Sequence, residues 1–297
     1  MTRFQYVRPG TRDTALAILT ESGPAARLLA GGTDVMVRVR SGHIRPGVIV
    51  DIKRIDDLDA GITQVGQVLR IGARCTMTEL LADARVRGSF PALAEAAAVV
   101  GSVQIRNRAT LAGNLCNASP AADTAPALLV YGAVVNTIGV AGERHVPVAE
   151  FFKAPGQTVL GPAELVTSID LPLPSLQSPP LGAAFMRLTR RRGVDLAILS
   201  VCCTVSSAGE VRVALGAVAP TPLLVTGLSL QDEQPQMIAR IAAQARPISD
   251  VRAAGDYRAA MLPVFIKRAL ALALQRRRDL DGHAAGERPN SPNGHGR

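Results

Sequence analysis

The sequence of 297 residues contains no tryptophan, and phenylalanine and tyrosine together make up only 3% of it. A surface that binds nucleic acid by base stacking needs aromatic side chains, so their scarcity argues against such a surface despite the net charge of +9. No apolar run reaches the roughly 18 residues that a membrane-spanning helix requires. The first residues also lack the apolar segment of a secretory signal. We therefore expect a cytoplasmic chain without a transmembrane segment.

Cysteine is also scarce, with four residues in the chain: Cys75, Cys116, Cys202 and Cys203. None of them forms a C-x-x-C pair, and their spacing cannot build a zinc or an iron–sulfur site. Adjacent Cys202 and Cys203 would lie on opposite faces of a strand. The sequence therefore predicts reduced thiols, typical of a cytoplasmic protein, and no metal site.

Several common catalytic and nucleotide-binding signatures are missing as well. The chain has no G-x-S-x-G nucleophile elbow, no G-x-G-x-x-G dinucleotide fingerprint and no Walker A loop. The two histidines that precede the C-terminal tail, His43 and His145, each stand alone. Hydrolase chemistry is left without support, and surface histidines are a simpler interpretation than a catalytic pair.

The order of the predicted elements indicates two domains. The first sixty residues alternate strand and helix, which predicts a small parallel sheet, and hairpins and helices follow. Four prolines between residues 172 and 180 indicate a linker, and the strands and then helices beyond it indicate a separate α+β domain. We expect a first domain at 1–175 with subdomains of about 1–57 and 58–175, a second at 181–278, and a disordered polar tail at 279–297.

A short apolar strand runs into two glycines in the segment 28–35. Gly31 and Gly32 let the main chain approach a ligand closely, and Thr33 and Asp34 offer an N-cap for the helix that follows. Unpaired backbone N–H groups at a helix start favour an anion. The segment therefore predicts a cradle for a pyrophosphate, although a Gly-Gly turn without a ligand is the simpler alternative.

Hydroxyl, amide and carboxylate side chains are concentrated in residues 101–123, a stretch with little periodicity. Long loops without secondary structure are uncommon inside compact domains and are usually functional. Such a loop could hold a polyhydroxylated, phosphate-bearing ligand, and an Ω-like surface loop is the alternative. Asp123, at its end, is positioned to cap a helix that begins at Thr124.

These two segments together carry a family resemblance. The motifs are Ala-Gly-Gly-Thr-Asp at 30–34, Gln-Ile-Arg-Asn-Arg-Ala-Thr-Leu-Ala-Gly-Asn at 104–114, and Asn-Ala-Ser-Pro-Ala-Ala-Asp at 117–123. They resemble the FAD-binding medium subunit of the molybdenum hydroxylases, the family of xanthine dehydrogenase and carbon monoxide dehydrogenase. The resemblance implies an α+β fold: an FAD-binding domain of the vanillyl-alcohol-oxidase/MurB (PCMH) type in two subdomains, then a small α+β C-terminal domain.

The resemblance also implies FAD as the cofactor and assigns its contacts. In the family the first glycine loop holds the pyrophosphate, the second loop lines the cofactor, and a strand matching residues 164–169 places an apolar residue near the flavin. By motif match the FAD-binding residues are Leu28, Leu29, Ala30, Gly31, Gly32, Thr33, Asp34, Val35, Thr110, Leu111, Ala112, Gly113, Asn114, Asp123, Val166 and Arg187. Arg187 stands where the family often has lysine, and Ala112 where it usually has the first glycine of a pair. FAD would carry the chemistry, with no catalytic side chain and no metal.

The function implied by the resemblance is that of an oxidoreductase subunit. Its partners would be a small subunit with [2Fe–2S] clusters and a large subunit with the molybdenum cofactor, in a dimer of heterotrimers. Electrons would pass from the clusters to FAD and then to NAD or another acceptor. A self-contained FAD-dependent oxidoreductase of the same fold and a basic, non-enzymatic binding module are the alternatives.

Overall fold

The computed structural model describes residues 3–175 and 177–286, and it begins with a three-stranded parallel sheet. The strands are Gln5–Val7 (β1), Ala26–Leu29 (β2) and Val48–Asp51 (β3), in the order β1–β3–β2. Helix Arg12–Ser22 (α1) connects β1 to β2, and helix Val35–Arg40 (α2) connects β2 to β3. Both strand pairs are parallel, which confirms the prediction of a small parallel sheet. The helices provide the crossover connections that parallel strands need.

The second part of the first domain contains a five-stranded antiparallel sheet in the order β4–β5–β10–β6–β7. Its strands and those of a small two-stranded sheet (β8 with β9) are Ile62–Val65 (β4), Val68–Gly72 (β5), Val134–Gly139 (β6), Gly142–Pro147 (β7), Phe152–Ala154 (β8), Gln157–Thr158 (β9) and Glu164–Pro172 (β10). The accompanying helices are Met77–Ala82 (α3), Ala84–Ser89 (α4), Pro91–Ala98 (α5), Val103–Arg106 (α6), Leu111–Cys116 (α7), Thr124–Val130 (α8) and Val148–Phe151 (α9). Apolar residues of sheet and helices form one buried cluster.

The C-terminal domain is a four-stranded antiparallel sheet with two helices. The elements are Gly182–Leu188 (β11), Leu199–Val205 (β12), Glu210–Gly216 (β13), Leu223–Ser229 (β14), Gln234–Ala242 (α10) and Gly255–Gly286 (α11). Helix α11 packs on β11 and β12, whereas α5 and α8 of the first domain approach the sheet from the other side. Accordingly Cys202 joins the core of the first domain and Cys203 that of the second, which confirms their predicted opposite orientation.

Residues 101–122 are not the structureless loop that we predicted. They contain the short helices α6 and α7. The Ser102 hydroxyl accepts a hydrogen bond from the N–H of Ile105, and the Thr110 hydroxyl accepts one from the N–H of Gly113. Helices of four and six residues are too short to produce apolar periodicity, so their caps are their only sequence signal.

The predicted disordered tail is wrong for residues 279–286, because α11 continues through Gly286. The Arg277 guanidinium pairs with the Asp281 carboxylate one turn further on, a spacing that supports a helix. The rest of the predicted tail, residues 287–297, lies outside the described residues.

Within the residues described, no helix is both long and apolar enough to cross a membrane. In the same part of the chain, no group of three or more histidine, cysteine, aspartate or glutamate side chains is arranged to hold a metal ion.

Candidate cofactor site

A cavity of about 750 Å³ lies where four segments from both domains meet. The segments are the glycine loop (residues 30–34), the second loop (residues 101–123), strand β10 and the β11–β12 loop (residues 189–198). Thirteen of the sixteen residues predicted to bind FAD line it: Leu28, Ala30, Gly31, Gly32, Thr33, Asp34, Val35, Thr110, Ala112, Gly113, Asn114, Asp123 and Val166. Segments far apart in sequence therefore line a single cavity large enough for an extended ligand.

The glycine loop and the second loop are in direct contact. A Cβ atom on Gly31 would lie 2.1 Å from the carbonyl oxygen of Arg108, so no other residue fits there without moving the backbone. Gly32 has φ +80°, in the left-handed region that glycine adopts most readily. The two glycines thus serve different purposes: Gly31 permits the close approach, and Gly32 permits the turn.

The capped start of α7 brings the second loop to the cavity. The Thr110 hydroxyl accepts from the N–H of Gly113 at 3.0 Å, and the Asn114 side-chain oxygen accepts from the Thr124 hydroxyl at 2.7 Å. Ala112 lies within this helix and is not among the described residues with positive φ. Alanine in place of the family's glycine therefore introduces no backbone strain at this position.

Asp123 lies at the start of α8, but its side chain does not cap the helix as we predicted. The carboxylate instead accepts from the Arg187 guanidinium at 3.0 Å, an ion pair that joins the two domains. Burial raises the pKa of Asp123 to about 6, although the positive charge of Arg187 lowers it. Its second oxygen, Oδ1, is buried and has no hydrogen-bond partner in the part of the chain described.

Asp34 lines the cavity without capping the helix after it. Its side chain makes no N-cap hydrogen bond and accepts instead from the Asn117 amide at 3.2 Å. Burial raises the pKa of Asp34, while the nearby Arg38 lowers it. Asp34 therefore ties the glycine loop to the second loop rather than to α2.

Three predicted residues do not line the cavity. Leu29 is 7% exposed and packs in a small apolar cluster with Val39 and Ile49, whereas its neighbour Leu28 points to the cavity. Successive residues of a strand point to opposite faces, so Leu28 faces the cavity and Leu29 faces the apolar cluster. Leu111 is fully buried in the core of the first domain, and Arg187 reaches the site through Asp123.

Sequence reasoning missed the contribution of the β11–β12 loop. Arg191, Val194, Asp195 and Leu196 line the cavity. The sequence gives no sign of this contribution, because a loop carries no periodic signal of where it packs. Arg27 and Arg38 also line the cavity, so that three arginines and three aspartates face the same space.

The side chains that line the cavity are suited to binding a ligand rather than to catalysing a reaction themselves. His43 and His145 are not among the lining residues. Cys116 lines the cavity, but burial raises the pKa of its thiol to about 12, which keeps it protonated and unreactive. The lining therefore offers hydrogen bonds, charge and apolar surface to a ligand, and no activated nucleophile.

Comparison with known proteins assigns both domains. The family model described as the FAD binding domain in molybdopterin dehydrogenase matches residues 2–174. The model described as the CO dehydrogenase flavoprotein C-terminal domain matches residues 183–273. The two matches correspond to the two domains of the fold.

Individual relatives agree with these matches. The xanthine dehydrogenase FAD-binding subunit of Escherichia coli O157:H7 is 34% identical over 223 residues, which cover 73% of this chain and 75% of that protein. The carbon monoxide dehydrogenase medium chain of Hydrogenophaga pseudoflava is 32% identical over 286 residues, 92% of this chain and 98% of the relative. A solved structure of carbon monoxide dehydrogenase from that organism, lacking the Mo-pyranopterin moiety of the molybdenum cofactor, matches with a TM-score of 0.86 and 30% identity over 92% of this chain and 98% of that one.

The fold and the matched domains define an FAD-binding subunit of a dehydrogenase, and hence of an oxidoreductase. The chain belongs to the family of FAD-binding medium subunits of molybdenum hydroxylases, of the xanthine dehydrogenase and carbon monoxide dehydrogenase type. These matches confirm the family resemblance of the sequence motifs. They also confirm the two-domain fold and FAD as the cofactor.

Proposed function

We propose that the cavity between the two domains binds FAD, with the pyrophosphate at the glycine loop and the second loop along the rest of the cofactor. The convergence of these loops on one cavity is the observation that carries the proposal. The assigned residues are those predicted from the motifs, with Leu29 and Leu111 supporting the loops from the core and Arg187 acting through Asp123.

The residues present fit such a cofactor. Gly31 lets the second loop pack directly against the glycine loop, so that both loops line one side of the cavity. Arg27, Arg38 and Arg191 line the cavity and make it favourable for an anionic ligand. The unpartnered Asp123 Oδ1 requires a hydrogen-bond donor, which the N–H and hydroxyl groups of FAD can provide.

We further propose that the chain is an electron-transfer subunit in the cytoplasm. It would receive electrons from [2Fe–2S] clusters on a small partner subunit, and a large partner subunit with the molybdenum cofactor would oxidise the substrate. Bound FAD can accept electrons singly and release them in pairs, to NAD or another acceptor. Support comes from relatives named as medium chains and FAD-binding subunits of dehydrogenases. A dimer of heterotrimers is the assembly that we propose.

The glycine loop provides the test of the cofactor site. In Gly32→Val a β-branched side chain would have to adopt φ +80° within 3.0 Å of the Leu29 side chain, so the loop must change shape. We expect this variant to lose FAD while the C-terminal domain remains folded. The flavin released per chain on denaturation measures the loss, and circular dichroism reports the fold.

Gly66→Val is the matched control. Gly66 also has positive φ, at +58°, but nothing lies within 4 Å of its would-be Cβ and it does not line the cavity. Its variant carries comparable backbone strain and should retain FAD. Normal flavin content in Gly32→Val, or equal loss in both variants, would contradict the assignment of the loop.

The proposed partners are tested by co-expression with neighbouring genes. Co-purification of the chain with iron–sulfur and molybdenum subunits, and reduction of its FAD only in their presence, are the expected results. Reduction of FAD in the isolated chain by an organic substrate would instead favour the self-contained oxidoreductase.

A further inference from the structure

One guanidinium joins the two domains at the edge of the cavity. Arg187 Nη1 donates to Asp123 Oδ2 at 3.0 Å and to the carbonyl oxygen of Asp195 at 3.1 Å. Arg187 Nη2 is 3.4 Å from the carbonyl oxygen of Gly193. Asp123 ends the second loop, whereas Gly193 and Asp195 belong to the β11–β12 loop, so a single side chain holds both walls of the cavity.

Two residues that Arg187 contacts each have one carboxylate oxygen without a partner in the described part of the chain. Asp123 Oδ1 and Asp195 Oδ2 are buried and make no hydrogen bond to any described residue. Their side chains are only 8% and 6% exposed, and both residues line the cavity. A buried carboxylate oxygen left unpaired costs free energy, so the pair indicates that a ligand supplies the donors.

Three other hydrogen bonds of the β11–β12 loop lie within it, from Thr189 to the Arg191 carbonyl and from Arg191 to the Val194 carbonyl, or at its end, from Arg252 to the Ala197 carbonyl. None of these three joins it to the second loop. Val194 and Leu196 are 51% and 59% exposed although they line the cavity, and Gly193 has φ +109°. Arg190 holds the outer side by donating to the carbonyl oxygen of Val251 and pairing with Asp195 Oδ1 at 3.6 Å. The inner side, which faces the second loop, depends on Arg187.

We propose that Arg187 is a positioning residue that fixes Asp123 and the β11–β12 loop relative to each other, so that Asp123 Oδ1 and Asp195 Oδ2 accept hydrogen bonds from N–H or O–H groups of the ligand. The identity of that ligand as FAD rests on the proposed function. The flavin ring and the ribityl chain of FAD both offer such donors. Asp195 is thereby added to the cofactor site, and Arg187 acts without having to touch the cofactor.

This role requires arginine rather than the lysine frequent in the family. The planar guanidinium holds three acceptors in a fixed geometry, with Nη1 on Asp123 and the Asp195 carbonyl and Nη2 on the Gly193 carbonyl, whereas an ammonium presents one nitrogen on a flexible stem. Lysine at position 187 could still neutralise Asp123, but it could not hold both Asp123 and the two loop carbonyls in the observed geometry. Arg187→Lys therefore keeps the positive charge at position 187 but loses the set of contacts that joins Asp123 to the β11–β12 loop.

The test combines two variants and two readouts on the full chain. Cleavage by trypsin after residues 190–192, identified by mass spectrometry, reports the order of the loop, and titration with FAD gives its Kd. Arg187→Lys should be cleaved several-fold faster and bind FAD at least about tenfold more weakly. Asp195→Asn keeps the backbone carbonyl that Arg187 contacts and weakens only the Arg190 pair on the outer side, so it should be cleaved more slowly than Arg187→Lys yet also bind FAD about tenfold more weakly.

The matched control is Arg212→Lys, which alters an exposed ion pair with Glu210 in the same sheet and should change neither readout. Wild-type cleavage of Arg187→Lys, or wild-type FAD affinity of Asp195→Asn, overturns the inference. These failures differ from a failure of the proposed function, in which the wild-type chain itself would not bind FAD or Gly32→Val would bind it normally. Even then, trypsin cleavage of Arg187→Lys tests whether Arg187 holds the β11–β12 loop, because this readout needs no cofactor.

Discussion

At the scale of single residues, Asp123 has the strongest link between environment and function. Burial raises its pKa from an ordinary 3.8 to about 6, and Arg187 opposes the shift. A carboxyl with a raised pKa holds its proton more tightly in the folded than in the unfolded chain. Its contribution to stability is therefore complete below the unfolded pKa and is lost as the pH rises through about 6.

We expect Asp123→Asn to remove this part of the pH dependence. Between about pH 4 and 7 the FAD-free wild type should lose roughly 2–3 kcal/mol of unfolding free energy relative to the variant. Urea unfolding of both proteins across this range measures the difference, with the exposed Asp13→Asn as control. A difference between wild type and Asp123→Asn that stays constant with pH would contradict the raised pKa.

At the scale of elements, two one-turn helices shape the second loop. Thr110 is both the N-cap of α7 and part of the cavity lining, and its backbone bridges to Thr76 at the start of α3. Further bonds connect the N–H of Met77 to the carbonyl of Ala109 and the N–H of Leu111 to the carbonyl of Cys75. The backbone on either side of the cap therefore attaches the second loop to the body of the domain.

Removal of this cap should destabilise the protein and weaken cofactor binding together. Thr110→Ala is expected to lower the free energy of unfolding by about 1 kcal/mol, because the N–H of Gly113 loses its acceptor. Thr110→Ser keeps the hydroxyl and should restore most of the stability and of the FAD affinity. Urea unfolding and FAD titration measure the two effects. Equal stability of the Ala and Ser variants would contradict the capping role.

The sequence predicted the glycine loop well because its signal is local: a strand, two glycines and a helix within eight residues. It also singled out the second loop, which lies at the cavity, but it did not predict helices α6 and α7, which are too short for periodicity. Motif matching assigned Leu29 and Leu111 to the cofactor, although the strand alternation and the helix face turn both into the core. The β11–β12 loop could not be placed, since it is held by Arg187, whose partner Asp123 lies 64 positions earlier in the sequence.

At the scale of the whole molecule, the cavity depends on how the domains are joined. Glu95 of α5 accepts from the backbone N–H of Phe185 in β11 at 3.0 Å and pairs with Arg276 of α11. Arg276 also donates to the carbonyl oxygen of Ala183 at 2.6 Å. One carboxylate of the first domain therefore contacts both a strand and a helix of the second.

Loss of Glu95 should loosen this junction. Glu95→Ala removes the acceptor of the Phe185 N–H and one of the acceptors of the Arg276 guanidinium, and we expect a loss of about 2 kcal/mol in unfolding free energy. FAD should also dissociate faster, because the cavity is built from both domains. Urea unfolding and the rate of flavin release test this, with the exposed Glu150→Ala as control. Equal behaviour of the two variants would contradict a role for Glu95 in joining the domains.

The most direct measurement of the central claim is an experimental structure of the chain with bound FAD. The account predicts the pyrophosphate within hydrogen-bonding distance of backbone N–H groups of the glycine loop, with residues 110–114 along the same cofactor and a donor group of FAD at Asp123 Oδ1. FAD bound outside the cavity, or within it but with its phosphates away from Gly31 and Gly32, would contradict the account.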